Sequence, residues 1–154
     1  MRAVHGFAIL ALAALGGCSG GEKTAAPQAG SLEVSDAWIR LSPVPDNPSA
    51  AYFTLHGGAT EERLTGVSSP QVARAEMHET MAGDHGMAMM APVKQFAVPA
   101  GGVLSFAPGG RHLMLFGLDP AATAGREVRL DFAFASGRSL SAKARVRAMG
   151  DDGQ

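Results

Sequence analysis

Val128-Arg129-Leu130-Asp131-Phe132-Ala133-Phe134 alternates large apolar residues with polar or small ones at a period of two. Successive side chains of an extended strand point to opposite faces. Val128, Leu130, Phe132 and Phe134 therefore face one way, and Arg129, Asp131 and Ala133 the other. The stretch predicts a strand with one face in a core, and no segment of the chain carries a convincing helical stripe. Turn signals punctuate the rest: Pro43–Pro48, Gly57-Gly58, Ser68-Ser69-Pro70, Ala82-Gly83-Asp84, Pro99–Gly102, Pro108-Gly109-Gly110, Asp119-Pro120 and Ser136-Gly137. Strands are expected near 32–40, 51–56, 61–67, 72–80, 87–98, 103–107, 112–117, 127–134 and 139–147. Many short strands at this spacing predict an all-β antiparallel sandwich or barrel.

The first residues are an address. Arg2 precedes an apolar run from Gly6 to Leu15 (GFAILALAAL), too short to span a bilayer, and Gly16-Gly17-Cys18 follows. Residues 1–17 read as an export signal. Leu15-Gly16-Gly17-Cys18 resembles the lipobox of bacterial lipoproteins, which makes Cys18 the expected lipidation site and first residue of the mature chain. It is the only cysteine, so no internal disulfide or thiolate metal site remains. Residues 18–30 are small and polar (CSGGEKTAAPQAG), as in a flexible tether, and 150–154 read as a frayed end. Residues 31–149 form one domain, long enough to bury a core. A formal net charge of −1 without a basic block gives no footprint for nucleic acid.

Five of the eight methionines, Met77, Met81, Met87, Met89 and Met90, lie between residues 77 and 90 together with His78 and His85, and His112 and Met114 follow downstream. A thioether is a soft, uncharged ligand that, with imidazole, suits Cu(I) rather than hard cations. Strand alternation puts Ala73, Ala75 and Met77 on one face of 73–80 and Arg74, Glu76, His78 and Thr80 on the other, so Met77 reads as core and His78 as surface. His112 and Met114 are two apart and share a face, with Leu113 and Leu115 behind them. Each alone also fits packing or a turn. Together, three separated elements bring imidazoles or thioethers beyond what packing needs.

These residues carry a resemblance to the periplasmic copper chaperone family PCu(A)C, whose pattern is a His, ten residues, a Met, twenty-one residues, then His-x-Met. Ala91 through Arg111, between Met90 and His112-Leu113-Met114, fit the second interval. Glu79 through Met89, between His78 and Met90, are one residue longer than the first. The resemblance thus implies a one-residue insertion around Gly83 to Gly86, with Met90 as ligand and Met89 as the alternative. Asp36-Ala37-Trp38-Ile39-Arg40, Ala50-Ala51-Tyr52-Phe53-Thr54-Leu55, Arg63-Leu64, Glu76-Met77-His78-Glu79, Pro99-Ala100-Gly101-Gly102 and Pro108-Gly109-Gly110 also look like family segments in family order, over about 32–147. The resemblance implies a cupredoxin-like Greek-key sandwich with His78, Met90, His112 and Met114 as copper ligands. Met81, His85, Met87 and Met89 are candidates for an auxiliary site in a variable loop. Trp38, Tyr52 and Phe53 read most simply as packing residues.

The function so implied is an extracytoplasmic chaperone that holds Cu(I) and delivers it to an acceptor, in the resembled family the copper centre of cytochrome c oxidase. It is expected in the periplasm or cell envelope, bound to the membrane through Cys18. A blue-copper electron carrier requires a thiolate ligand, which the lipid occupies. No HExxH or G-x-S-x-G motif points to an enzyme. A divalent-metal, zinc-binding lipoprotein using His78, His85 and His112 is the competing reading.

Overall fold

The alternating stretch forms β9 (Glu127–Phe134), with Val128, Leu130, Phe132 and Phe134 buried. The protein is represented by a computed structural model that describes residues 30–83 and 87–151. The other strands are β1 (Glu33–Arg40), β2 (Ser49–His56), β3 (Glu62–Ser68), β4 (Val72–Ala82), β5 (Ala88–Pro92), β6 (Phe96–Val98), β7 (Val103–Phe106), β8 (Arg111–Leu118) and β10 (Ser139–Arg147), and the described residues contain no helix. The strands run β5-β4-β8-β2-β1-β10-β9-β3-β6, with β7 on the far half of β2. Every pairing is antiparallel except β1 with β10, which is parallel.

β2 and β9 lie three places apart in that order, yet their side chains meet. Phe53 stacks on Phe106 with ring centroids at 4.3 Å and meets Phe132 edge-on at 4.9 Å. The sheet therefore curls over itself into two layers around one core, the cupredoxin-like Greek-key sandwich. Aromatic pairs in such geometries add about 0.5–1.5 kcal/mol each beyond their burial.

One predicted strand divides. Residues 87–98 form β5 on β4 and β6 on β3, separated by Val93–Gln95. Pro92 has no N–H for a ladder, and the Val93 N–H turns inward to donate to the Met77 carbonyl at 2.8 Å. The chain crosses there from one layer to the other.

A bulge in β1 orients the site wall. Ser35 pairs with Thr54 but Trp38 with Tyr52, one residue more on β1 than on β2, and Asp36 takes a left-handed φ of 52°. The extra residue brings Trp38 and Arg40 onto the face of Tyr52. At the far end of β2 the backbones approach too closely for any side chain: a Cβ on Gly57 would sit 1.9 Å from the Pro99 carbonyl oxygen. Gly57→Ala is expected to cost about 1–3 kcal/mol through forced backbone displacement, measured as a lower urea midpoint. An unchanged midpoint would mean that the 99–102 turn yields freely.

Candidate metal centre

Strand register decides which side chains can meet. In antiparallel pairs, directly opposite residues share a face. His78 on β4 lies opposite His112 on β8, and Glu76 opposite Met114. On the other side of β4, Thr80 lies opposite Met90 and Met81 opposite Met89. Met90 therefore shares the face of His78, Thr80, His112 and Met114, whereas Met89 belongs to the opposite face with Met77 and Met81. The Met89 side chain lies over Gly83, where a Cβ would come within 3.0 Å of its sulfur. The spacing of the sequence left Met90 and Met89 as alternatives; the hairpin register separates them.

The two imidazoles stand side by side with centroids 5.8 Å apart and planes tilted by 31°. The His112 ring is buried, and its Nδ1–H donates to the Gly110 carbonyl at 3.0 Å. A carbonyl only accepts, so the proton is on Nδ1 and the lone pair is on Nε2. The His78 side chain is 13% exposed, and its Nε2–H donates to the Glu76 carboxylate at 3.2 Å. Its Nδ1 is buried with no hydrogen-bond partner. An orphaned buried acceptor is costly, and an imidazole nitrogen oriented by a carboxylate on its other nitrogen is the arrangement metal-binding histidines use. Each ring thus offers one bare lone pair.

A cavity of about 270 Å³ opens on this face. Met90, His112 and Met114 line it together with Thr80, Tyr52 and Arg40, while His78 is outside the lining and stands beside His112. The side opposite Met90 is braced. Trp38 and Tyr52 pack with centroids at 4.5 Å, the Arg147 guanidinium lies 4.8 Å above Trp38, and that of Arg40 lies 5.5 Å above Tyr52. Such cation–π contacts hold long side chains in place at about 0.5–1 kcal/mol each when exposed. Sequence reasoning gave Tyr52 only a packing role and gave Glu76 none. The signal for Glu76 was its position two residues before His78 on one strand face.

The family model for LpqE-like lipoproteins matches residues 32–146. The chain belongs to the LpqE-like family. It is 29% identical over 116 residues to Lxx21020 of Leifsonia xyli subsp. xyli, a protein named as a lipoprotein, spanning 75% of this chain and 69% of that one. Solved structures with the same fold include PCuAC domains, the family the sequence resembles. The copper-bound PCuAC domain from PmoF2 superposes with a TM-score of 0.64 at 20% identity, covering 79% of the LpqE-like chain and 97% of the domain. The CuI form of DR1885 from Deinococcus radiodurans aligns at 27% identity with a TM-score of 0.56, covering 81% of each chain. His85 and Cys18 of the LpqE-like chain lie outside the described residues. Among the described residues no three His, Cys, Asp or Glu side chains gather into a group able to hold a metal. The convergence on this face depends on thioethers.

Proposed function

We propose that this chain is a copper chaperone of the cell envelope that holds Cu(I) through His78, Met90, His112 and Met114. Residues 31–149 are the copper-binding domain, and Cys18 is the lipid anchor. The observation that carries the reading is the cavity wall, which thioethers from β5 and β8 line together with His112, while the ring of His78, its Nδ1 without a partner, stands 5.8 Å from that of His112. Two imidazoles and two thioethers make a neutral, soft donor set. It favours Cu(I), a d10 ion, over Cu(II), which prefers tetragonal nitrogen and oxygen donors. The CuI of DR1885 supports the same assignment, and the copper-bound PmoF2 domain shares the fold. A carrier gains from an ion with little geometric demand, because ligands exchange without a large rearrangement. The acceptor follows from the resemblance: the copper centre of cytochrome c oxidase, or another carrier that serves it.

X-ray absorption of the protein loaded with one equivalent of Cu(I) tests the reading. Mixed sulfur and nitrogen neighbours are expected. A shell of nitrogen and oxygen alone would favour the zinc-type set of His78, His85 and His112. The insertion has its own test. Met90→Leu removes a sulfur from the cavity face and should weaken binding of the first Cu(I) equivalent, whereas Met89→Leu removes one from the other face and should leave that first step nearly unchanged. The reverse order would put the hairpin register one residue out.

A further inference from the structure

Beyond Thr80 the β4–β5 hairpin outruns the sheet. Thr80 still donates its N–H to the Gly110 carbonyl at 3.3 Å, but β8 begins only at Arg111, so Met81–Gly83 and Met87–Met89 form a free two-stranded ribbon. The Gly83 N–H donates to the Met87 carbonyl at 2.7 Å, which makes Gly83 and Met87 the next opposed pair after Met81 and Met89 on one face. Three thioethers therefore converge on the ribbon face turned away from Met90. Opposed residues have Cβ atoms only about 4.5–5.5 Å apart, and Gly83 leaves open the space into which Met89 folds.

Packing does not account for these residues. Met81, Met87 and Met89 are 49%, 70% and 61% exposed. The Glu79–Arg111 ion pair, at 3.0 Å, lies between them and Met77, the last methionine of the core on this face. An exposed edge strand is ordinarily guarded by charged side chains, yet β5 reads Ala88-Met89-Met90-Ala91-Pro92 with none.

We propose that Met81, Met87 and Met89 form a second, all-thioether Cu(I) site that captures the ion and hands it to the cavity. The handover rests on the cavity being the Cu(I) site argued above; the ribbon site itself does not. Met89 and Met90 are consecutive on the edge strand, so their sulfurs lie on opposite faces of a strand with no further strand beyond it among the described residues. An ion moving from one to the other passes round that edge by ligand exchange, with no change of oxidation state and no passage through the sheet. Three neutral thioethers bind more weakly than a set including imidazole, which sets the direction of transfer.

The test is methionine-methyl NMR of the full chain titrated with silver nitrate in chloride-free buffer, Ag(I) being a redox-inert stand-in for Cu(I). The Met90 and Met114 methyls should shift over the first equivalent, and those of Met81, Met87 and Met89 together over a second. In His112→Ala/Met114→Ala the ribbon methyls should respond in the first equivalent. In Met81→Leu/Met87→Leu/Met89→Leu, three exposed near-isosteric changes, the second step should vanish and the first remain. Ribbon methyls that stay still beyond one equivalent, or shift independently of one another, overturn the ribbon site and leave the cavity reading intact. Ribbon methyls that shift together while Met90 and Met114 stay still overturn the cavity reading and leave the ribbon site intact.

Discussion

Met114→Ala and His112→Ala are each expected to lower Cu(I) affinity by about 100-fold or more, or ~3 kcal/mol at 1.4 kcal/mol per tenfold. The magnitude follows from a comparison. Removing a group that merely orients a metal ligand costs ~10–100-fold, so removing a donor from a four-donor site costs at least the upper end. The fold should survive both changes. Met114 is half-buried at the cavity wall with Leu113 and Leu115 holding the strand to the core behind it. In His112→Ala the Gly110 carbonyl loses one donor but keeps the Thr80 N–H, so the stability cost is about 1 kcal/mol. Met114→Leu separates sulfur from packing: it preserves volume and should lose affinity nearly as far as Met114→Ala. Competition against a Cu(I)-specific chromophoric chelator reads the affinities, and urea unfolding reads the fold. Undiminished affinity in both alanine variants would remove β8 from the site and with it the chaperone reading.

The features legible in the sequence were those set by side-chain period. The alternation of 128–134 places four apolar residues in the core, and that of 73–80 separates buried Met77 from His78 on the other face. His112-Leu113-Met114 reads the same way, because two residues on a strand always share a face. The missing parts depend on pairing. Whether Met89 or Met90 shares the face of His78 turns on the hairpin register, and a count of residues along the sequence cannot supply it. The division of 87–98 into β5 and β6 turns on Val93 donating to a distant carbonyl. The bulge at Asp36 has no compositional mark, since aspartate tolerates a left-handed φ without announcing one. Glu76 was visible as a neighbour of His78, but its role appears only where its carboxylate reaches one imidazole nitrogen and leaves the other bare.

Cys18→Ser is expected to abolish partition of the protein into the membrane fraction while leaving its Cu(I) affinity unchanged. A single acyl chain holds a protein only marginally, but a lipidated N-terminal cysteine carries several, enough for a stable anchor. The alternative anchor, the apolar run from Gly6 to Leu15, is half the ~20 residues a spanning helix needs. The independence of copper binding follows from where the tether joins the fold. Gly30 accepts the Ala59 N–H at the end of the sandwich where β1 begins, whereas Arg40, at the other end of β1, lines the cavity. Eight residues at ~3.3 Å rise put those ends roughly 23 Å apart. With Cys18 as anchor and His78, Met90, His112 and Met114 as ligands, the copper site would lie at the end of β1 away from where the chain enters the fold. If Cys18→Ser still sediments with membranes, the apolar run is an uncleaved anchor and the lipobox reading is wrong. If it becomes soluble but loses copper, the tether reaches into the site, and the separation along β1 no longer describes the working molecule.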